Sequence, residues 1–209
     1  MRGLYLVTPN WDDTERLLAV TAAALRGGAA LVQYRHKTAG AARRREQAGA
    51  LLALCRRQRQ RVPLVVNDYL DLCIDLDADG VHLGSGDGDL AYARNVLGPR
   101  KIVGASCYGD LALAVAAQQA GASYAAFGGF YPSPVKQYDF VTQPDLLMAA
   151  RAVVKLPLVV IGGMTAANAA PLVARGADMV AAITSVYGAT DPEDAARGLA
   201  ALFTQDRHG

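Results

Sequence analysis

Two cations and an amide are spaced so that they could bind one anion together. In the segment Gln33-Tyr34-Arg35-His36-Lys37, polar side chains that could meet a ligand alternate with aromatic ones. Successive side chains of a β-strand point to opposite faces, so Gln33, Arg35 and Lys37 would share one face. Arg and Lys that converge on one point are typical of a phosphate or pyrophosphate site. The alternative is a strand that ends in a solvated loop, where both cations contact only water.

Carboxylates follow the next two apolar runs. Asn67 and Asp68 end the run PLVVND, and Asp87 follows the run that contains His82. Without a Cys/His cluster, acidic groups at neighbouring strand ends favour a hard cation such as Mg²⁺, which combines one or two carboxylates with substrate phosphate oxygens. Each Asp could instead cap a helix, a common position for Asp after a strand. We expect His82 to be a hydrogen-bonded strand residue, because Mg²⁺ disfavours imidazole.

The elements that must position these groups form a regular series. Eight short apolar runs alternate with Ala/Leu/Arg-rich stretches of helical period, and the runs are GLYLVT (3–8), ALVQYR (30–35), PLVVND (63–68), GVHLG (80–84), KIVGAS (101–106), SYAAFGG (123–129), PLVVIGG (157–163) and DMVAAIT (178–184). This alternation predicts βαβ units and a parallel sheet. Eight units in 209 residues predict a single α/β domain over residues 1–209, a (β/α)8 TIM barrel. An open doubly wound sheet would carry GxGxxG after its first strand, where this chain has PNWDDTE.

A barrel places its active site in the loops after the strands. After the fifth to eighth strands, the residues that could bind a ligand there are Ser106, Ser133, Lys136, Gly162, Gly163, Ile183 and Thr184. Loops after the seventh and eighth strands commonly bind phosphate through backbone N–H groups. The double glycine could alternatively serve only the packing of a tight turn.

Composition excludes several classes of protein. The chain is 52% hydrophobic and 19% charged with a net charge of +2, which indicates a globular domain and argues against a dedicated nucleic-acid binder. Its apolar runs are too short for a membrane helix or a signal peptide, so we expect no membrane partner. The three cysteines lack metal-binding spacing and are expected to be reduced thiols of a cytoplasmic protein. Cys107, next to Ser106, could be a nucleophile, but no sequence feature supplies its base.

The second helical stretch is rich in arginine. Its members are Arg43, Arg44, Arg45, Arg56, Arg57, Arg59 and Arg61. Such a cluster could meet a polyanion, but a solvated helix face is the favoured interpretation.

The chemistry inferred from these residues is a displacement without a protein nucleophile. The sequence shows no Ser/His/Asp order, no nucleophile elbow and no paired Glu at strand ends. A metal-assisted anion site and a second phosphate site therefore predict that charge stabilisation drives departure of a leaving group.

The motifs together resemble those of the thiamine phosphate synthase family. The resemblance covers nearly the whole chain, through LYLVTP, VQYRHK, VNDYLDL, DGVHLG, GASCY, YPSPVK, IGGMTAANA and AAITSV. It implies a barrel enzyme, a transferase that joins hydroxymethylpyrimidine pyrophosphate to thiazole phosphate and releases pyrophosphate. It also implies small-molecule substrates, and it leaves homo-oligomer formation open.

The resemblance assigns roles to individual positions. The pyrimidine pyrophosphate would be held by Gln33, Arg35, Lys37, Asn67, Ser106 and Lys136, of which Arg35, Lys37 and Lys136 would be catalytic. Mg²⁺ would be held by Asp68 and Asp87. The thiazole phosphate would be held by Ser133, Val135, Gly163, Ile183 and Thr184.

The chain departs from the family pattern at three positions. Val135 stands where TxTK motifs of the family have a hydroxyl, Ser85 replaces a common Gln, and Thr184 replaces a common Ser. Two alternatives stay open at this point. One is a related barrel that isomerises thiazole carboxylate phosphate without metal or pyrophosphate, and the other is a phosphate-binding barrel without turnover.

Overall fold

Eight parallel strands close into a barrel, as predicted. The computed structural model describes residues 1–84, 86–133, 135 and 139–204. The strands are β1 (Gly3–Val7), β2 (Ala29–Tyr34), β3 (Leu64–Asn67), β4 (Gly80–Leu83), β5 (Ile102–Tyr108), β6 (Tyr124–Phe127), β7 (Leu158–Ile161) and β8 (Met179–Ala182). Each strand pairs with the next along the chain, and β8 returns to pair with β1. The predicted (β/α)8 barrel is therefore confirmed.

Helices connect the strands and surround the barrel. The described residues form α1 (Thr14–Arg26), α2 (Ala41–Arg56), α3 (Leu70–Asp75), α4 (Leu90–Leu97), α5 (Leu111–Gln119), α6 (Leu146–Val153), α7 (Ala166–Ala174), α8 (Thr184–Tyr187) and α9 (Pro192–Ala201). The short helix α8 directly follows β8 and was not foreseen as a separate element. Among the helices described here, not one has the length and apolar character needed to cross a membrane.

Aspartates begin several of these helices. Asp13, Asp89, Asp110 and Asp191 each accept a hydrogen bond from a backbone N–H in the first turn of α1, α4, α5 and α9. Such a bond satisfies one of the N–H groups that a helix start leaves without a partner. Neither Asp68 nor Asp87 has this role, since α3 begins after Tyr69 and α4 after Asp89. The capping interpretation is thus wrong for both carboxylates.

The core has two layers. The larger cluster lies between the strands and the helices, and a smaller one fills the barrel interior. Tyr5, Leu31, Val65, Tyr124 and Val159 belong to the interior cluster, and each is at most 1% exposed. The barrel floor beneath the loops is therefore packed, and two of its largest side chains carry hydroxyl groups.

The arginine-rich surface of α2 and its following loop is interleaved with acidic residues. Arg45 pairs with Asp75, Arg61 pairs with Asp79, and Arg56 lies 3.7 Å from Asp77. Arg44 stacks over the ring of Tyr69 at 3.9 Å. These contacts favour the solvated helix face over a polyanion-binding surface.

Candidate active site at the carboxyl ends of the strands

A cavity of about 510 Å³ opens at the carboxyl ends of the strands. Every proposed site residue that the structure describes lines it, namely Gln33, Arg35, Lys37, Asn67, Asp68, Asp87, Ser106, Ser133, Val135, Gly163, Ile183 and Thr184. Lys136 and Ser85 lie outside the described residues. Positions spread over 152 residues of sequence therefore converge on one space, because all eight strands end on the same side of the barrel.

The β2 segment has the predicted two faces. Gln33, Arg35 and Lys37 line the cavity, whereas Tyr34 and His36 point outward to α2. There Gln47 accepts a hydrogen bond from the Tyr34 hydroxyl at 3.1 Å and contacts His36 Nδ1 at 3.2 Å. The alternation therefore directs both cations into the barrel mouth.

The loop after β1 holds these cations in place. Thr8 Oγ1 accepts a hydrogen bond from the Arg35 backbone N–H at 2.8 Å and donates one to the Arg35 carbonyl at 3.0 Å. Asn10 Oδ1 accepts from Arg35 Nη1 at 3.3 Å and from the Lys37 backbone N–H at 3.2 Å. The loop thereby fixes the backbone of the segment and orients the guanidinium.

Beside the cations lies a pair of carboxylates. Lys37 Nζ is 3.1 Å from Asp68 Oδ2, and Asp87 Oδ2 accepts a hydrogen bond from the Gly84 N–H at 2.9 Å. Burial and the neighbouring Asp87 raise the pKa of Asp68, while Lys37 opposes the increase. The carboxylates of Asp68 and Asp87 therefore lie close together in a partly buried environment, with Lys37 as the neighbouring cation.

This donor set fits a magnesium ion. Within the part of the chain that the structure describes, no three or more His, Cys, Asp or Glu residues are grouped so that they could hold a metal ion together. Mg²⁺ does not need one, since it keeps several waters and commonly uses one or two carboxylates together with substrate phosphates. A divalent cation between Asp68 and Asp87 would also neutralise their mutual repulsion.

The opposite side of the barrel mouth is rich in backbone groups. Gly163 has φ of +61°, and a Cβ there would lie 2.2 Å from the Pro132 carbonyl oxygen, so only glycine fits. The start of α7 is closed by a capping box between Thr165 and Asn168. At the start of α8, in contrast, the structure shows no side-chain cap from a described residue, because the capping position is Ile183. Backbone N–H groups at that helix start suit an anion.

Sequence reasoning missed Tyr5 and Tyr124 as part of this site. Gln33 Nε2 donates to the Tyr5 hydroxyl at 2.6 Å, and the hydroxyls of Tyr5 and Tyr124 are 2.6 Å apart. His82 Nδ1 is 2.8 Å from the Tyr124 hydroxyl, and its Nε2 is 2.9 Å from Ser106 Oγ. His82 is thus the hydrogen-bonded strand residue that was predicted. The strand period could have indicated Tyr5, which shares its face with Val7, but not its distant partner.

Cys107 is not placed for nucleophilic chemistry. Its thiol is fully buried in the core between strands and helices, outside the cavity. Burial raises the pKa of Cys107 to about 12, so the reactive thiolate is rare near neutral pH. The nucleophile alternative is therefore not supported.

Known proteins resemble this chain over its whole length. The family model for thiamine monophosphate synthase matches residues 4–186. A thiamine-phosphate synthase of Janthinobacterium sp. (strain Marseille) is 58% identical over 98% of both chains. One of Thiobacillus denitrificans is 52% identical over 98% of this chain and 96% of its own.

The solved structures agree. The thiamine phosphate pyrophosphorylase of Pyrococcus furiosus superimposes with a TM-score of 0.85 at 32% identity, over 97% of this chain and 96% of its own. Fold, cavity and sequence therefore converge on one family. The chain belongs to the thiamine monophosphate synthase family, and it is an enzyme of thiamine biosynthesis, a transferase that makes thiamine phosphate.

Proposed function

We propose that this transferase joins hydroxymethylpyrimidine pyrophosphate to thiazole phosphate and releases pyrophosphate. The observation that carries the proposal is that charged side chains and backbone-rich loops line different sides of one cavity. Arg35, Lys37 and the Asp68–Asp87 pair lie at the ends of β2, β3 and β4. Gly163 and the start of α8 lie across the barrel at the ends of β7 and β8. One side suits a metal-bound pyrophosphate and the other a phosphate monoester.

The first bond change is the loss of pyrophosphate. The C–O bond between the pyrimidine methylene and the pyrophosphate breaks, and the pyrophosphate leaves with the electron pair. Arg35 and Lys37 stabilise the charge that develops on its oxygens, and Ser106 and Asn67 contribute polar contacts. Lys136, which the family resemblance places here, would add a third cation. The remaining pyrimidine methylene is a benzylic-type cation stabilised by the electron-rich ring.

The second bond change forms the product. The thiazole nitrogen donates its lone pair to the methylene carbon, so the C–N bond forms without any proton transfer. Gly163, Ile183 and Thr184, with Ser133 and Val135 in the loop after β6, would hold the thiazole phosphate in position for this attack. Positioning of both reactants in one cavity accounts for a large part of such a rate enhancement.

Asp68 and Asp87 would hold Mg²⁺ in this proposal. When bound, the ion would neutralise charge on the pyrophosphate and so favour its departure. The protein's own contribution is to keep the two carboxylates next to Lys37, whose Nζ lies 3.1 Å from Asp68 Oδ2. We also propose that the enzyme works in the cytoplasm on free small molecules, without nucleic acid.

The test is pyrophosphate release by the purified protein. Release should require the pyrimidine pyrophosphate, the thiazole phosphate and Mg²⁺ together, with thiamine phosphate as the product. Omission of each component in turn gives the controls. Conversion of the thiazole carboxylate isomer without metal would instead support the isomerase alternative. If neither assay gives a product, a phosphate-binding barrel without turnover is supported.

A further inference from the structure

Five polar side chains form a continuous hydrogen-bonded chain across the barrel floor. They are Gln33 of β2, Tyr5 of β1, Tyr124 of β6, His82 of β4 and Ser106 of β5. The four successive contacts measure 2.6, 2.6, 2.8 and 2.9 Å. Gln33, at one end, and Ser106, at the other, both line the cavity. The chain therefore joins two substrate-facing groups that the sequence separates by 73 residues.

The two phenols in the middle of this hydrogen-bonded series are buried, although Tyr5 also lines the cavity. Tyr5 is 1% exposed and Tyr124 is fully buried. The His82 and Tyr124 rings stack with centroids 5.6 Å apart, and Tyr5 meets Tyr124 edge-on. At Gly104, a Cβ would lie 2.1 Å from the Tyr124 ring, so the missing side chain makes room for it. Burial raises the pKa of both phenols, which therefore stay protonated and must each donate a proton.

The direction of each hydrogen bond in this series follows from Gln33, at its first position. Gln33 Nε2 can only donate, so the Tyr5 oxygen accepts from it. Among the described residues the Tyr5 hydroxyl meets just one other polar group, the Tyr124 hydroxyl, which must receive its proton. Tyr124 then donates to His82 Nδ1. With the opposite direction between the two phenols, the Tyr5 proton would have no acceptor in this part of the structure, which is costly in a buried place.

His82 transmits this direction to the cavity. Because Nδ1 accepts, the imidazole proton lies on Nε2, and Nε2–H donates to Ser106 Oγ. The Ser106 oxygen thereby accepts a hydrogen bond from His82. Its own proton is then available to donate to a ligand in the cavity. A hydroxyl proton presented to an anion stabilises it, whereas the reversed chain would present only lone pairs.

We propose that Tyr5, Tyr124 and His82 are positioning residues that form a one-way hydrogen-bond relay, which keeps His82 in the Nε2–H tautomer and turns the Ser106 hydroxyl proton toward the departing pyrophosphate. The identity of that anion rests on the proposed function. The direction of the relay does not, since it follows from the contacts of the free protein. Tyr5 and His82 also line the cavity, and the effect proposed for the relay is exerted on the departing pyrophosphate through Ser106.

The first experiment reads the tautomer directly. ¹⁵N NMR of the histidine rings at pH 8, in protein without substrates, distinguishes a protonated from an unprotonated ring nitrogen. The sequence contains 3 histidines, and the His82 signals are assigned by their loss in His82→Gln. The relay predicts a protonated Nε2 and an unprotonated Nδ1. A proton on Nδ1, alone or together with Nε2, would overturn the proposal whatever the activity of the enzyme.

The second experiment asks whether the relay acts through Ser106. Tyr124→Phe removes the donor to His82 Nδ1 and should lower kcat by about tenfold, with a smaller change in KM for the pyrimidine pyrophosphate. In a Ser106→Ala background the same substitution should change kcat by less than about twofold, because the group it orients is gone. An equal loss of kcat in both backgrounds would show a merely structural effect and overturn the proposal.

Tyr187→Phe is the matched control. Tyr187 is 3% exposed, its hydroxyl bonds Thr21 Oγ1 at 2.9 Å, and it belongs to the core between strands and helices, whereas Tyr5 and Tyr124 belong to the interior cluster. Thr21 keeps a bond to the Leu17 carbonyl without it. Removal of the Tyr187 hydroxyl should change kcat by less than about twofold, both in the unmodified protein and in the Ser106→Ala background. Absence of synthase turnover in the unmodified protein would count against the proposed function, while the NMR result would still decide the direction of the relay.

Discussion

At the scale of single residues, Asp68 combines a costly backbone with an unfavourable charge environment. Its φ is +66°, in the left-handed region that non-glycine residues rarely adopt. Burial, together with the neighbouring Asp87 carboxylate, raises the pKa of Asp68. Features that cost stability persist where the surrounding structure enforces them, and they cluster at functional sites. Both costs are consistent with a carboxylate that holds a cation.

Asp68→Asn tests this role with little change to the backbone, because Asn tolerates the left-handed region. Mg²⁺-dependent turnover should fall by at least about a hundredfold, since a metal-held charge at a leaving group contributes several kcal/mol. The measurement is initial rate against Mg²⁺ concentration, with circular dichroism to confirm folding. Asp77→Asn is the control, since Asp77 has φ of +51° and lies on the surface. Unchanged turnover in Asp68→Asn would contradict the metal assignment.

Gly163 is a second position where one residue type is required. Its φ is +61°, and the Pro132 carbonyl oxygen occupies the place of a side chain. Gly163→Ala should push the loop after β6 away from the end of β7 and raise KM for thiazole phosphate by about tenfold or more. Steady-state kinetics with each substrate varied would measure this. Gly40→Ala is the control, because a Cβ there meets nothing within 4 Å. An equal effect on both substrates would argue against a local cause.

At the scale of elements, one buried glutamine links a helix to the strand that carries the cations. Gln47 of α2 is fully buried and contacts Tyr34 and His36 on the outer face of β2. It also donates to the Trp11 carbonyl at 2.9 Å, in the loop after β1. The outward residues of β2 are thus held by α2, and the inward residues Arg35 and Lys37 are held with them.

Gln47→Leu removes these bonds while it keeps a similar volume. The free energy of unfolding should fall by about 2–4 kcal/mol, because several buried polar groups lose their partner. Urea denaturation measures the loss. Gln58→Leu, just beyond α2, loses a single bond to the Leu54 carbonyl at a partly exposed place and should change stability far less. A similar loss in both variants would contradict the linking role of Gln47.

The connection after β4 shows how closely spaced residues acquire different functions. Asp87 lines the cavity, whereas Asp89 accepts from the Tyr92 N–H and begins α4. Because Asp89 is used by the helix, Asp87 is the carboxylate of this pair that is placed for the proposed metal site.

At the scale of the whole molecule, the barrel encloses its thiols. Cys55, Cys73 and Cys107 are each at most 1% exposed. Burial raises the pKa of Cys73 to about 11 and those of Cys55 and Cys107 to about 12. A thiol reacts as its thiolate, so reactivity should be very low at pH 8 and rise only as the pH approaches 11.

Titration with a disulfide reagent at pH 8 checks this expectation. Folded protein should react slowly at all three positions, with well under one thiol per chain in the first minutes, and protein unfolded in guanidinium should react completely. The unfolded sample is the control for reagent and protein concentration. Fast reaction of one thiol in the folded protein would mean that a cysteine is accessible.

Much of this architecture was predictable because it depends on local periodicity. Alternating apolar runs and helical stretches predicted all eight strands, and the period of two in the segment of Gln33, Arg35 and Lys37 predicted which side chains point inward. The residues assigned to the site lie near the carboxyl ends of strands or in the loops after them, so the topology of a barrel alone brings them to one end. Sequence therefore determined the fold, the inward face of the β2 segment and many of the residues that line the cavity.

The tertiary structure decided how distant groups meet. That Tyr5 and Tyr124 contact each other between Gln33 and His82 depends on register around the closed barrel and on the space left by Gly104. The pairing of α2 arginines with acids of neighbouring elements and the contact of Gly163 with Pro132 likewise join separate segments. Periodicity tells which face a side chain occupies, but only the closed barrel sets which side chain lies across from it.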